Sequence, residues 1–116
     1  MSNREPIISS LMQDEPELYD LVEKMVLRLP KDIIEIKALV GQRDLEQLKK
    51  SLHKLKGTAG NFGFGDLHSI VSQMENCLSQ TNLTHLTEYC YELDRQYLRM
   101  HAGLSLSIKR SDLKKN

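Results

Sequence analysis

Apolar residues recur along most of the chain at steps of three and four, the period of helices that bury one face. A short apolar segment, Ile7 to Met12, comes first, followed by Asp14-Glu15-Pro16-Glu17. There Asp14 is placed to cap a long helix, Pro16 to occupy its first turn and Glu17 to complete a capping box. The apolar face of this helix runs Leu18, Leu21, Val22, Met25, Leu29, Ile33, Ile36, Leu39 and Val40. Because the face continues through Pro30, a kink is expected there, with a break into two helices as the alternative. Gly41 supplies a stop, and Asp44 with Gln47 opens the next helix. Its stripe is Leu45, Leu48, Leu52, Leu55, Ala59 and Phe62, ending in the glycine-bearing stretch Gly60 to Gly65. A third pattern places Leu67, Ile70, Val71, Met74 and Leu78 on one face. After the polar turn Ser79 to Asn82, a fourth follows with Leu83, Leu86, Cys90, Leu93, Tyr97, Met100 and Leu104. Four amphipathic helices with short connections predict an all-α, antiparallel four-helix bundle with a short N-terminal helix.

Composition narrows this picture. At 116 residues the chain is the size of one domain, so residues 1–116 are read as a single bundle whose basic tail, 105–116, is solvated and free to fray. There is no Trp, with only 3 Pro and 6 Gly, which favours helices over a sheet. Lys plus Arg and Asp plus Glu balance at 16 each, so net charge gives no general attraction to nucleic acid or to an anionic membrane. No apolar run approaches the roughly 20 residues that span a bilayer, and the N-terminus lacks the apolar stretch of a signal peptide. A cytoplasmic location is expected. Cys77 and Cys90 fall in apolar patterns and read as reduced thiols. His68, His85 and His101 have no ligand partners at metal-binding spacing, so no metal site is expected.

The candidate chemistry gathers on the second helix. At roughly 100° per residue, His53 points well away from the Leu48, Leu52, Leu55, Ala59 stripe and so into water. The same exposed face carries Lys49, Lys50, Lys56, Gly57 and Gly60. Each glycine inside a helix costs about 0.8–1.0 kcal/mol relative to alanine. A partner pressing close to His53 would require bare backbone there; the alternative is that the helix ends near Gly57 and Gly60 caps it. The lysines would attract an anion carried on the ring, and imidazole is a nucleophile that forms covalent intermediates. The alternative reading of an exposed histidine among lysines is a merely solvated face.

The run His53-Lys54-Leu55-Lys56-Gly57-Thr58-Ala59-Gly60-Asn61-Phe62-Gly63-Phe64 resembles the signature of the histidine-containing phosphotransfer family. Leu67 at the start of the next helix and Leu29-Pro30 in the long one extend the likeness over nearly the whole chain. Gly60 to Gly63 and Met74-Glu75-Asn76 are also similar to the phosphotransfer domain of the chemotaxis histidine kinase. The resemblance implies that His53 is phosphorylated, that Glu75 accepts a hydrogen bond from its ring, and that Lys56 neutralises phosphoryl oxygens. It also implies that Gly57 admits a receiver domain. A carboxylate on Nδ1–H would leave Nε2 outward as the nucleophile. Glu75 as an ordinary surface acid remains the alternative.

Implied partners are response-regulator receiver domains and a hybrid sensor histidine kinase, with the chain acting as a monomeric carrier. It would need no cofactor of its own, since Mg²⁺ would reside on the receiver. No glycine-rich nucleotide loop is present, so the expected role is phosphoryl carrier and not kinase. Two competing readings differ in class. One is a helical adaptor or inhibitor that binds a kinase or receiver while His53 is never phosphorylated. The other is a nucleic-acid-binding bundle using Lys49, Lys50, Lys56 and the tail, which predicts salt-sensitive binding. A free-standing protein is expected over a domain excised from a larger kinase.

Overall fold

The computed structural model describes the backbone of residues 5–114 and side chains as far as Leu106. Five α-helices follow in order: α1 Ser10–Asp14, α2 Tyr19–Gln42, α3 Leu45–Asn61, α4 Gly65–Ser79 and α5 Leu86–Lys114. α2 packs on α3 and α5, and α4 packs on the same two, which closes a four-helix ring. Leu29, Ile36, Leu48, Leu52, Leu67, Met74, Leu93 and Met100 fill its centre, each fully buried. Removing one such side chain from water is worth about 1.5–3 kcal/mol, and this term drives the helices together. α5 keeps a helical backbone past Ser105 to Lys114; the tail side chains of Lys109, Arg110, Lys114 and Lys115 lie outside the described residues.

Helix ends differ from the sequence reading in instructive ways. Asp14 does not cap the long helix. It closes α1, whose cap is Ser9, with a hydroxyl accepting from Met12 N–H at 3.3 Å. Glu15, at φ −133° and ψ 81°, is extended because the following Pro16 disfavours helical backbone before it. A 3₁₀ turn, Pro16–Leu18, then feeds α2 without a side-chain cap. Pro30 sits within an uninterrupted α2. The loss of one backbone hydrogen bond there is outweighed by the burial of Val26, Leu29 and Ile33 around it.

The stop expected at Gly41 comes two residues later, at Arg43, which takes φ 55°. Carbonyls of Leu39 and Val40 accept from Arg43 N–H, so the left-handed residue satisfies the last turn. Asp44 caps α3 as expected, accepting from Gln47 N–H at 3.3 Å. The fourth long helix starts at Leu86 and not at Leu83, because Thr81 turns left-handed at φ 54° and Asn82 accepts from Thr84 N–H. Phe64, absent from the expected core, is buried between α3 and α4. Leu21, expected inside, is exposed, since it lies about 90° from the centre of the α2 stripe.

The segment before α1 is strapped across one end of the bundle. Ile7 N–H donates to Arg99 O at 2.9 Å, Arg99 Nε donates to Glu5 O at 2.9 Å, and Ser10 N–H donates to Gly63 O at 3.1 Å. The Ser9 hydroxyl donates to Phe62 O. Met12 is thereby pressed into the core.

Candidate functional site

α3 runs on past both of its internal glycines. Its C-terminal signal is Gly63, at φ 76°, with Gly63 N–H on Gly60 O at 3.3 Å and Phe64 N–H on Ala59 O at 2.9 Å. These two bonds close the last turn, so neither Gly57 nor Gly60 is a cap. Both lie within the helix: Gly57, a full turn from its end, lowers helix stability by roughly 0.8–1.0 kcal/mol, while Gly60 stands next to last in the final turn. A methyl group at Gly57 would meet nothing within 4 Å, and one at Gly60 would make only ordinary contact with the His68 ring, at 3.5 Å. Packing inside the molecule therefore does not demand either glycine.

His53 lies one turn before Gly57, with its side chain 81% exposed. The core residues Leu52 and Leu55 hold α3 against the bundle and aim His53 outward. α4 brings Glu75 to it. The Glu75 side chain is only 20% exposed, with Oε2 3.6 Å from His53 Nδ1 and Oε1 3.5 Å from Lys56 Nζ. One carboxylate thus lies between the imidazole and an ammonium three residues further along α3. Oε1 is buried and makes no well-directed hydrogen bond, so its electrostatic partner Lys56 is held by charge alone. The outer ring nitrogen, Nε2, is on the far side of the imidazole from Glu75.

The other sequence candidates fall around this trio. Lys49 is exposed one turn before His53, and Lys50 beside it. Gly57 and Gly60 continue the exposed line beyond His53. His68 is half-buried on α4 next to Gly60, while His85 and His101 stand elsewhere on the bundle. His85 Nδ1 approaches Glu88 Oε2 at 3.3 Å, and His101 stacks at a tilt on Tyr97. Among the described residues no group of three His, Cys, Asp or Glu side chains could hold a metal ion.

On the flank of α3 away from Glu75, a groove of about 330 Å³ separates α3 from α2. Leu21, Met25, Leu55 and Phe62 give it an apolar floor, and Lys54 on its rim neighbours His53 in sequence. This groove was not foreseen. The signal that could have found it is the position of Leu21, apolar but displaced toward α3 from the α2 core line.

An exposed histidine on a bundle helix, with an acidic partner from the next helix and bare glycine one turn on, is the arrangement that a family comparison can decide. The Hpt domain model matches residues 20–105. The chain belongs to the Hpt domain family. Neither a curated protein nor a solved structure matches it. Membership makes the bundle an Hpt domain with a histidine phosphotransfer role in phosphorelay signalling, and Hpt domains are phosphocarriers, not kinases. Receiver domains and histidine kinases are the partner classes of such domains. The match covers α2, α3, α4 and most of α5, so every residue of the His53 trio lies inside the Hpt unit and the strap lies outside it. No helix among the described residues is long and apolar enough to cross a membrane.

Proposed function

We propose that His53 of this Hpt domain accepts a phosphoryl group on Nε2 from the phospho-aspartate of a receiver domain, or from a kinase, and passes it to another receiver. The observation that carries this reading is Glu75 Oε2 at 3.6 Å from Nδ1 of an imidazole that is otherwise open to water. With Nδ1 carrying the proton and facing Glu75, the Nε2 lone pair points outward. It attacks phosphorus while the bond to the aspartate oxygen breaks and the carboxylate departs. The proton on Nδ1 stays beside Glu75 throughout. Onward transfer reverses these roles, with a second aspartate carboxylate as nucleophile and the neutral ring as leaving group.

Charge compensation follows from the same geometry. Lys56 has a long, partly exposed stem and is 3.5 Å from Glu75 Oε1, so a phosphoryl group on His53 offers its ammonium a second anion within reach. Lys49 adds positive charge on the opposite side of the ring. Gly57 and Gly60 leave room for the receiver's backbone, and the apolar groove between α2 and α3 extends the contact surface beyond the histidine. Mg²⁺ is the receiver's to hold. The domain's own share is position and electrostatics.

Substitutions at two positions test the individual roles. Glu75→Ala is expected to lower the rate of phosphoryl transfer by about 10- to 100-fold, the usual effect of removing a group that orients an imidazole. Glu75→Gln, which still accepts a hydrogen bond, should recover part of that loss. Rapid-quench measurement of transfer from a phosphorylated receiver reads both; unchanged rates in Glu75→Ala would remove the carboxylate from the scheme. Gly57→Ala should act in opposite directions on two readouts. Its methyl group meets open space in the free domain, so urea unfolding should show a gain of roughly 0.8–1.0 kcal/mol. The same methyl lies where a receiver docks, so transfer should slow. A stabilised variant that transfers at the wild-type rate would show that Gly57 is not at the docking surface.

A further inference from the structure

The outer faces of α2 and α5 carry apolar residues that none of the described residues covers. Ile34 is 68% exposed and Leu98 66%, with Leu27 and Tyr91 also well exposed. On α2, Leu27, Ile34 and Gly41 repeat every seven residues, and so do Tyr91 and Leu98 on α5. These positions lie roughly 110–160° from the centre of each helix's buried stripe, on the side where α2 and α5 meet. The pairing of Lys37 Nζ with Asp94 Oδ2 at 2.5 Å, and a hollow of about 240 Å³ lined by Val40, Gly41, Cys90 and Tyr91, set the register between the two helices. In that register Ile34 is level with Leu98 and Gly41 with Tyr91.

We infer that this seam pairs with the same seam of a second copy, about a two-fold axis parallel to the helices. Such an axis lays α2 of each copy against α5 of the other at unchanged height. Ile34 then meets the second copy's Leu98. The second copy's Tyr91 ring rests on Gly41, where a Cβ would find nothing within 4 Å. Lys37 of each copy faces Asp94 of the other, so four charges alternate in sign around the axis and none meets its like. Self-complementarity of this kind favours a second copy over an unrelated partner. A receiver seated on the seam could not reach His53, which projects from α3 toward α4 on another face of the bundle.

The area sets the strength. From Leu27 to Gly41 the seam is about 21 Å long, and two adjacent helices are about 20 Å wide, giving on the order of 400 Å² per copy. That falls short of the roughly 800 Å² per partner of a standard stable interface, so the dimer is weak, with a dissociation constant on the order of 10–100 µM. This proposal departs from the monomer expected from the sequence.

Sedimentation equilibrium of the full chain from about 1 µM to 1 mM tests this. The weight-average mass should rise from the monomer value of 13.4 kDa toward twice that over the series. Ile34→Glu and Leu98→Glu, both at exposed sites that leave the core intact, should each hold the mass at the monomer value. Lys37→Glu should weaken association about 10-fold or more, and Lys37→Glu with Asp94→Lys should restore it, since the alternation of charge is re-formed. His53→Gln should dimerise as the wild type does, which separates this proposal from the phosphotransfer reading. A monomer mass throughout the wild-type series, or association that survives both Ile34→Glu and Leu98→Glu, overturns the proposal.

Discussion

Replacing His53 with glutamine should abolish acid-labile, alkali-stable phosphoryl label on this Hpt domain after incubation with a phosphorylated receiver, a loss of at least about 1,000-fold. The amide keeps a polar side chain of similar reach but has no nucleophilic nitrogen. Stability should stay within about 0.5 kcal/mol of wild type, because the imidazole is 81% exposed and supports no packing. Label and urea melt measured on the same preparation therefore separate a lost acceptor from a lost fold. Persistent label would move the acceptor to another histidine, and if no receiver labels even the wild type, the adaptor reading gains.

The remaining histidines show why His53 and not one of them is the expected acceptor. His85 also has a carboxylate near Nδ1, Glu88 Oε2 at 3.3 Å, and is itself exposed. A carboxylate partner alone is therefore no signature. Around His85 the same shallow surface carries the exposed Glu88 and also Glu92, which pairs with Arg95, and two tyrosines line it. With Arg95 already engaged by Glu92, an arriving phosphoryl group would meet the Glu88 carboxylate and ring bulk. Around His53 it meets Lys49, Lys50 and Lys56, and bare backbone at Gly57. On the proposed reading, field and access set the expected acceptor apart, with the carboxylate supplying orientation.

Much of this was legible in the chain before any coordinates. The periodicity of α3 put His53 outside and Leu52 inside, because a helix wheel needs only the residues of one helix. That Gly57 and Gly60 lie within α3 and do not cap it needed more, namely the φ of Gly63, which in the sequence is only one glycine among several. The meeting of Glu75 with His53 and Lys56 is a contact between helices, fixed by how α4 sits on α3; nothing in the spacing of residues 53 and 75 dictates it. The resemblance supplied only the pairing of Glu75 with His53, and the Lys56 contact comes from the structure. Helix ends failed where a neighbour overrode the local signal. Asp14 is a good cap by type, yet the extended residue that Pro16 imposes at Glu15 detaches it from α2. Leu21, Ile34 and Leu98 were misjudged or passed over for one reason: an apolar residue off the core line has no consequence within a single helix, and acquires one only when grooves and seams exist between helices.

The strap makes the second large prediction, and it concerns folding. Gly103 on α5 is crossed by the chain at Ile7 so closely that a Cβ there would stand 1.8 Å from Ile7 O and 2.7 Å from its carbonyl carbon. No real side chain tolerates such a contact, and the opposing atoms are backbone, which cannot swing aside as a side chain could. Gly103→Ala should therefore displace the strap from α5, breaking the bond from Ile7 N–H to Arg99 O and loosening Met12 from the core. Partial exposure of Met12 together with the lost hydrogen bonds amounts to about 2–4 kcal/mol, a lowered urea midpoint. Hydrogen exchange should quicken at Ile7 while Leu52 on α3 keeps its relative protection, since the strap lies outside the Hpt unit. Gly41→Ala is the contrast: a methyl there meets nothing within 4 Å, and Gly41 stands in the last turn of α2, so the same change should stabilise by up to about 0.8 kcal/mol. If Gly103→Ala proves as stable as wild type with Ile7 still protected, the strap does not cross α5 at Gly103. If its Ile7 amide opens but transfer through His53 continues at the wild-type rate, the strap is a stabilising element that the phosphotransfer site does without.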